Sequence, residues 1–213
     1  MNSYSETNRY HIPAVIRTFA VSLAISLLGF LAGNFVPPAL FFPLMIIEFG
    51  MLLAAFFVRR RKILSYSFLY AFTFISGITL FPVIISYLAT IGPQPVIMSL
   101  VATVVVFGGL SLYAATTKRD LTFLRGILMA ALLAILVIGI FNIFSPLSST
   151  AMLVYSFIGI LVFSGYVLYD VNRMKQYGVT EEEIPLAALN LYLDFINLFL
   201  FILRFIGILS SDD

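Results

Sequence analysis

The chain contains no cysteine, which excludes disulfides and thiolate-held metal. Charge is also scarce: Asp, Glu, Lys and Arg make up 10% of its 213 residues, against roughly 25% in ordinary soluble domains. The formal net charge is only +2 and no basic face or tail stands out, which argues against nucleic acid as a partner. What fills the sequence instead is apolar, at 62% hydrophobic residues. Such a composition predicts an integral membrane protein.

The gaps between charges count the spans. Arg17 and Glu48 enclose 30 uncharged residues, Lys62 and Lys118 enclose 55, and Arg125 and Asp170 enclose 44. A bilayer core takes roughly 20 helical residues. The longer gaps therefore hold two spans each, with turns at TIGPQP (90–95) and NIFSPLSS (142–149). The first gap is broken by GNFVPP (33–38), continues past Glu48 to Val58, and also makes two. A seventh apolar segment runs from Ile184 to about Leu209. The expected spans are 15–35, 39–58, 63–88, 96–117, 121–142, 150–172 and 185–209, in a single transmembrane domain over 1–213. The polar start followed by a long apolar run reads as a retained first span, being too long for a signal-peptide core.

Three alternate loops lack Lys and Arg altogether. Arg9 and Arg17 stand at the first span. Arg59, Arg60, Arg61 and Lys62 join spans two and three, Lys118, Arg119 and Arg125 join four and five, and Arg173 and Lys175 join six and seven. Eleven of the twelve basic residues thus fall on one side, which the positive-inside rule makes cytoplasmic. The N-terminus is then expected inside and the acidic C-terminus outside.

Ionisable residues within spans are costly, at about 2.5–3.5 kcal/mol each on insertion scales, and mark function. Here they are Glu48, Asp170, Asp194 and Arg204, with Arg59 at the cytoplasmic mouth of span two. Around span seven, Asn190, Asp194, Asn197 and Arg204 fall at about 0°, 40°, −20° and −40°. Phe201 is the only apolar member of that stripe, and the rest of the helix is Leu, Ile and Phe. Such a stripe cannot face lipid, so span seven is expected at the centre of the bundle with six helices around it. The asparagines have two readings, as glue between helices or as polar lining of an ion path.

Asp170 also has two readings, a loop-edge aspartate or a partner of Asp194. Asp194 lies nine residues past Pro185, roughly 13 Å into the membrane at the helical rise. The two acids meet if span six reaches inward or span seven starts deep. In contact they would share a proton and so sense pH. Arg59 reads either as a topogenic charge or as a gate. Glu48 and Arg204 lie at depths that allow an ion pair toward the outer side.

At FSGYVLYDVNRMK (163–175) and ALNLYLDFINLFLFILRFIGIL (188–209) the chain resembles the transmembrane Bax inhibitor motif family, in particular its bacterial calcium-leak members. FVRRRK (57–62), FISGITLFP (74–82) and GIFNIFSPLSS (139–149) extend the resemblance over the whole length. Val171-Asn172 departs from the family, where Thr-Gln is common after the aspartate, and this bears on the surroundings of the acid pair. The resemblance implies seven helices with the last one central, and a leak of calcium down its gradient. It also implies a proton-sensing pair at Asp170 and Asp194, an arginine latch at Arg59 and an outer pair at Glu48 and Arg204. The acid pair doubles as a weak transit site for calcium. No cofactor is expected beyond calcium as permeant ion. The expected partners are lipid, calcium and protons, the expected state a monomer, and the expected location a bacterial plasma membrane.

Other classes fit less well. An intramembrane aspartyl protease needs two aspartates to activate water. Tyr169-Asp170 suits it, but the second site reads LYLD and lacks the glycines of the GxGD pattern. A proton-coupled cation transporter needs alternating access, often from inverted repeats, and three hairpins plus one helix do not form two halves. A retinal receptor needs an intramembrane lysine, whereas Lys62, Lys118 and Lys175 lie in loops.

Overall fold

A computed structural model describes residues 11–58 and 64–211. Among these are seven α-helices long and apolar enough to cross a membrane, and no strand. They are α1 (Ile12–Gly33), α2 (Pro38–Val58), α3 (Tyr66–Ile91), α4 (Pro93–Thr116), α5 (Leu124–Phe144), α6 (Ser149–Tyr177) and α7 (Ile184–Ser211). A short 3₁₀ turn over Glu181–Glu183 precedes α7. Thr180 and Glu183 close a reciprocal capping box there, satisfying backbone N–H groups that a helix start leaves without partners.

Several helix ends differ from the charge-gap reading. The break between α3 and α4 is the single residue Gly92, at φ 80°, and Pro93 opens α4 three residues earlier than expected. Only glycine adopts that φ without strain, and proline suits a first helical position because it needs no N–H partner there. At its C-terminal end α6 runs to Tyr177, five residues past 172, and stops before Gly178 at φ 73°. Arg173 and Lys175 mark where the apolar stretch ends, whereas the glycine marks where the helix ends.

The helices fall into two compact units. The first holds the chain up to Ser86 together with Tyr177–Tyr192, and the second holds Tyr87–Gln176 with Leu193 onward. The last helix contributes to both. Its span is 61% buried, against 6% for α2 and 11% for α5. Among its described side chains Leu209 alone is exposed, so the polar stripe is covered by protein. On α2 and α5 the exposed residues include Phe42, Ile46, Phe49, Ile127, Leu136 and Phe141. That apolar outside is the inverse of a soluble protein and is suited to lipid.

In the first unit α1 buries Thr18, Ser22, Ser26, Gly29 and Gly33, spaced three or four residues apart on one face. A Cβ on Gly29 would strike the Phe74 carbonyl of α3, and one on Gly77 would strike the Ser26 carbonyl of α1. The two backbones therefore approach through a reciprocal glycine contact, as small residues allow in membranes. Phe30 and Phe81 close the seam above, with ring centroids 5.4 Å apart.

In the second unit Leu128, Ile135, Val162, Phe163, Tyr169, Leu198, Phe201 and Ile202 form one apolar core drawn from α5, α6 and α7. Asn172, fully buried on α6, clasps the α4–α5 loop. Its Oδ1 accepts from the Leu121 N–H (2.9 Å), and its Nδ2 donates to the carbonyls of Arg119 (3.1 Å) and Ala114 (3.3 Å). The Lys175 ammonium donates to the Thr117 carbonyl of the same loop. On the opposite connection, the Asn142 side chain accepts from the Leu147 N–H at 2.9 Å and holds the α5–α6 turn.

Candidate functional site: two buried acids and two charged outposts

Asp170 on α6 and Asp194 on α7 both belong to the second unit, and each is buried to 5% exposure. The packing of the two helices fixes their register. Phe163 stacks on Phe201 with centroids 5.6 Å apart and planes at 26°. The α6 backbone at Gly159 abuts the Phe201 ring so closely that a Cβ there would overlap it. Tyr155, earlier on α6, meets Arg204, later on α7, so the helices run antiparallel. Asp170 lies seven residues beyond Phe163 and Asp194 seven residues before Phe201. Seven residues are two turns and return to the same face. Moving inward from the stacked rings by roughly 10 Å on each helix brings both aspartates to one level of the α6–α7 seam. This register explains how a residue that reads as a loop-edge acid can lie level with one deep in a span. The extension of α6 to Tyr177 leaves Asp170 well inside the helix.

Buried carboxylates at one level have restricted chemistry. Oxygen atoms in such a place suit protons and hard cations. Tyr169 packs into the apolar core beside the pair, and Asn172 anchors the following turn of α6 to the α4–α5 loop. Val171-Asn172, the departure from the related pattern, is thus a loop clasp.

The stripe on α7 continues beyond the acids. Asn197 spends an amide hydrogen on its own helix, donating to the Leu193 carbonyl at 2.7 Å. Asn190, one turn before Asp194, is half-buried in the first unit's part of α7. Arg204 is partly buried in the second unit. Its guanidinium carbon lies 5.7 Å from the Tyr155 ring centroid and 5.6 Å from that of Phe201. A guanidinium over two ring faces is held by cation–π attraction, which strengthens as water is excluded. The Tyr155 hydroxyl in turn donates to the Ile135 carbonyl at 3.1 Å. Phe201, the apolar member of the polar stripe, is therefore the seat of the arginine.

Glu48 sits half-buried on α2 in the first unit. Its Oε2 accepts a 2.6 Å hydrogen bond from the Thr79 hydroxyl of α3. Thr79 was not among the residues singled out from the sequence. Nothing marks one threonine among many in an apolar span, although its place in FISGITLFP, three residues past Ser76, puts both on one helix face. Arg59, the candidate latch, lies outside the described residues. Among those that are described, no cluster of three or more His, Cys, Asp or Glu could cage a metal.

The fold and its buried charges define a class: a multi-pass α-helical membrane protein whose last helix carries the polar groups inside. Comparison with known proteins makes this specific. The chain matches the family described as "Inhibitor of apoptosis-promoting Bax1" over residues 8–211 and belongs to that family. It is 33% identical over 218 residues to protein Cj0236c of Campylobacter jejuni, covering 99% of this chain and 93% of that protein. It is also 37% identical over 145 residues to inner membrane protein YbhL of Escherichia coli K12, covering 62% of this chain and 58% of that one. It is 32% identical over 174 residues to Bax inhibitor 1 of Schizosaccharomyces pombe, covering 81% of this chain and 62% of the yeast protein.

Proposed function

We propose that this protein is a pH-gated calcium leak channel of a bacterial inner membrane, with its N-terminus in the cytoplasm and its C-terminus outside. The observation that carries the reading is the level placement of two buried acids, Asp170 and Asp194, on antiparallel neighbouring helices. Family membership supports it, as does a relative named for the inner membrane. The one-sided distribution of Lys and Arg supports the orientation.

In the proposed cycle, deprotonated Asp170 and Asp194 hold Arg59 across the cytoplasmic mouth. A proton taken up by the pair removes the charge that attracts the guanidinium, and the mouth opens. Acid therefore favours conduction. Calcium takes six to eight oxygen ligands in tight sites. A pair of carboxylates supplemented by amide and backbone oxygens binds it weakly, and weak binding lets an ion leave as well as enter.

Reconstituted liposomes test the reading. Purified protein should pass calcium down its gradient, faster than sodium or potassium, and faster at acid pH. Calcium accumulation against its gradient, driven by protons, would instead identify a proton-coupled cation transporter. Absence of any protein-dependent flux would remove both.

A further inference from the structure

The first unit contains a second polar assembly that the acid pair does not use. Five side chains from four helices converge there: Ser26 of α1, Glu48 of α2, Ser76 and Thr79 of α3, and Tyr192 of α7. Ser26 Oγ and the Tyr192 hydroxyl share a 2.8 Å hydrogen bond across 166 residues of sequence. The Ser76 hydroxyl also reaches the Tyr192 phenol, and the charge of Glu48 acts on that phenol. Thr79 Oγ1 donates to Glu48 Oε2 at 2.6 Å and leans on the Ser76 carbonyl at 2.9 Å. Ser26, Ser76 and Thr79 are buried, and Tyr192 is 0% exposed.

Two features of this cluster exceed what helix packing needs. A serine or threonine in a membrane helix is satisfied by its own carbonyls three or four residues back. Ser22 does so, donating to the Thr18 carbonyl at 2.9 Å. Ser26 turns instead to a tyrosine on another helix, and Thr79 reaches a carboxylate. The assembly is also all oxygen, with one formal negative charge and no cationic side chain in the set. That donor set suits a hard cation and is poor for soft metals. A single carboxylate gives weak, exchangeable binding.

We propose that Glu48, Thr79, Ser76, Ser26 and Tyr192 form a transit site for a hard divalent cation, with Glu48 as its charged ligand and Thr79 positioning that carboxylate. The site deepens the channel reading and rests on it for its physiological meaning, but its binding is measurable without it. Thr79 does not act on the cation through charge. Its hydroxyl fixes one carboxylate oxygen by a 2.6 Å hydrogen bond and so sets the orientation of the carboxylate. Valine has nearly the same shape and cannot donate, so Thr79→Val removes the positioning bond with little change in packing volume.

The test is equilibrium calcium binding to purified protein in detergent, using radioactive calcium, in the Asp194→Asn background so that the acid pair contributes little. Residual binding should remain there, disappear with Glu48→Gln, and weaken about tenfold with Thr79→Val, the size expected for losing one charge-assisted hydrogen bond. Thr79→Ser should restore it, and Tyr192→Phe should weaken it less than Thr79→Val. A role confined to packing would lower the yield of folded protein without moving the dissociation constant of what remains folded. Equal affinity in Thr79→Val and Thr79→Ser, or no binding attributable to Glu48, would overturn the proposal. If Asp194→Asn does not fold, the same comparison in wild-type protein decides, because Thr79→Val must still weaken binding relative to Thr79→Ser. A pH profile unmoved by Asp194→Asn would defeat the gating scheme alone and leave this site standing.

Discussion

Both units bury hydroxyls, but only the second also buries acids and a fully enclosed amide among the described residues. The first relies on hydroxyls and glycines: Thr18, Ser22, Ser26, Thr73, Ser76 and Thr79 are all buried there. The second also buries hydroxyls, at Ser99, Thr103 and Ser156, but adds carboxylates, a fully buried amide and stacked rings, in Asp170, Asp194, Asn172, Phe163 and Phe201. The last helix passes from one mode to the other within two residues, from Tyr192 to Asp194. Hydroxyls are cheap to bury because the helix itself supplies acceptors. They can line a unit without disturbing its packing. Carboxylates have no such local partner, so each one buried demands an arrangement around it. The hydroxyls of the first unit are thus suited to close backbone approach, whereas each acid of the second needs an arrangement of neighbours around it.

Replacing glycines should separate the units most strongly. Gly77→Leu should abolish the folded, monodisperse protein in detergent chromatography, because any side chain there meets the Ser26 carbonyl. Overpacking of this kind costs about 1–3 kcal/mol even where neighbours yield, and a backbone carbonyl yields less than a side chain. Gly50→Leu on α2, where nothing lies within 4 Å of the added Cβ, should leave the chromatographic profile unchanged.

The next effect belongs to the second unit. Asn172→Leu removes two hydrogen bonds to the α4–α5 loop and one to the last turn of α4, and leaves the Leu121 N–H without its acceptor. A loss of about 1–3 kcal/mol is expected, read as a lower melting temperature in detergent. Faster hydrogen exchange confined to 117–123 should accompany it. A smaller effect is expected at Arg204. Arg204→Met keeps the length of the side chain and loses attraction to the Tyr155 and Phe201 rings, worth about 0.5–2 kcal/mol. Arg204→Lys should recover part of the melting temperature.

Smallest is the exposed loop. The Thr122 hydroxyl and backbone N–H, bound to Asp120 at 2.7 and 2.8 Å, hold its carboxyl below the usual 3.8. A carboxyl with a lowered folded value stabilises the protein above its unfolded value, and the contribution fades as pH falls through the folded one. Asp120→Ala should therefore differ from wild type only above about pH 4, and there by no more than the scatter of a thermal melt, since the group is fully exposed.

The same contrast explains what was legible in the sequence. Charge gaps and Pro/Gly breaks gave seven helices because lipid penalises charge and proline interrupts backbone bonding. The buried last helix was legible because Asn190, Asp194, Asn197 and Arg204 share a face. Asp170 and Asp194 stood out as intramembrane acids, but their common level needed the stacking of Phe163 on Phe201, a register that composition does not carry. The Ser26–Tyr192 bond and the Thr79–Glu48 bond were invisible, because hydroxyls occur on nearly every span and most satisfy themselves. Asn172 was hidden for a related reason: beside Arg173 it reads as loop-edge polarity, whereas α6 continues past it for more than a turn.

Calcium flux into liposomes, followed from acid to alkaline pH for wild type and Asp194→Asn at matched folded protein, tests the central claim most directly. The account predicts that wild-type flux rises with acid and that the variant's flux no longer depends on pH. A variant that keeps the wild-type pH profile would contradict it.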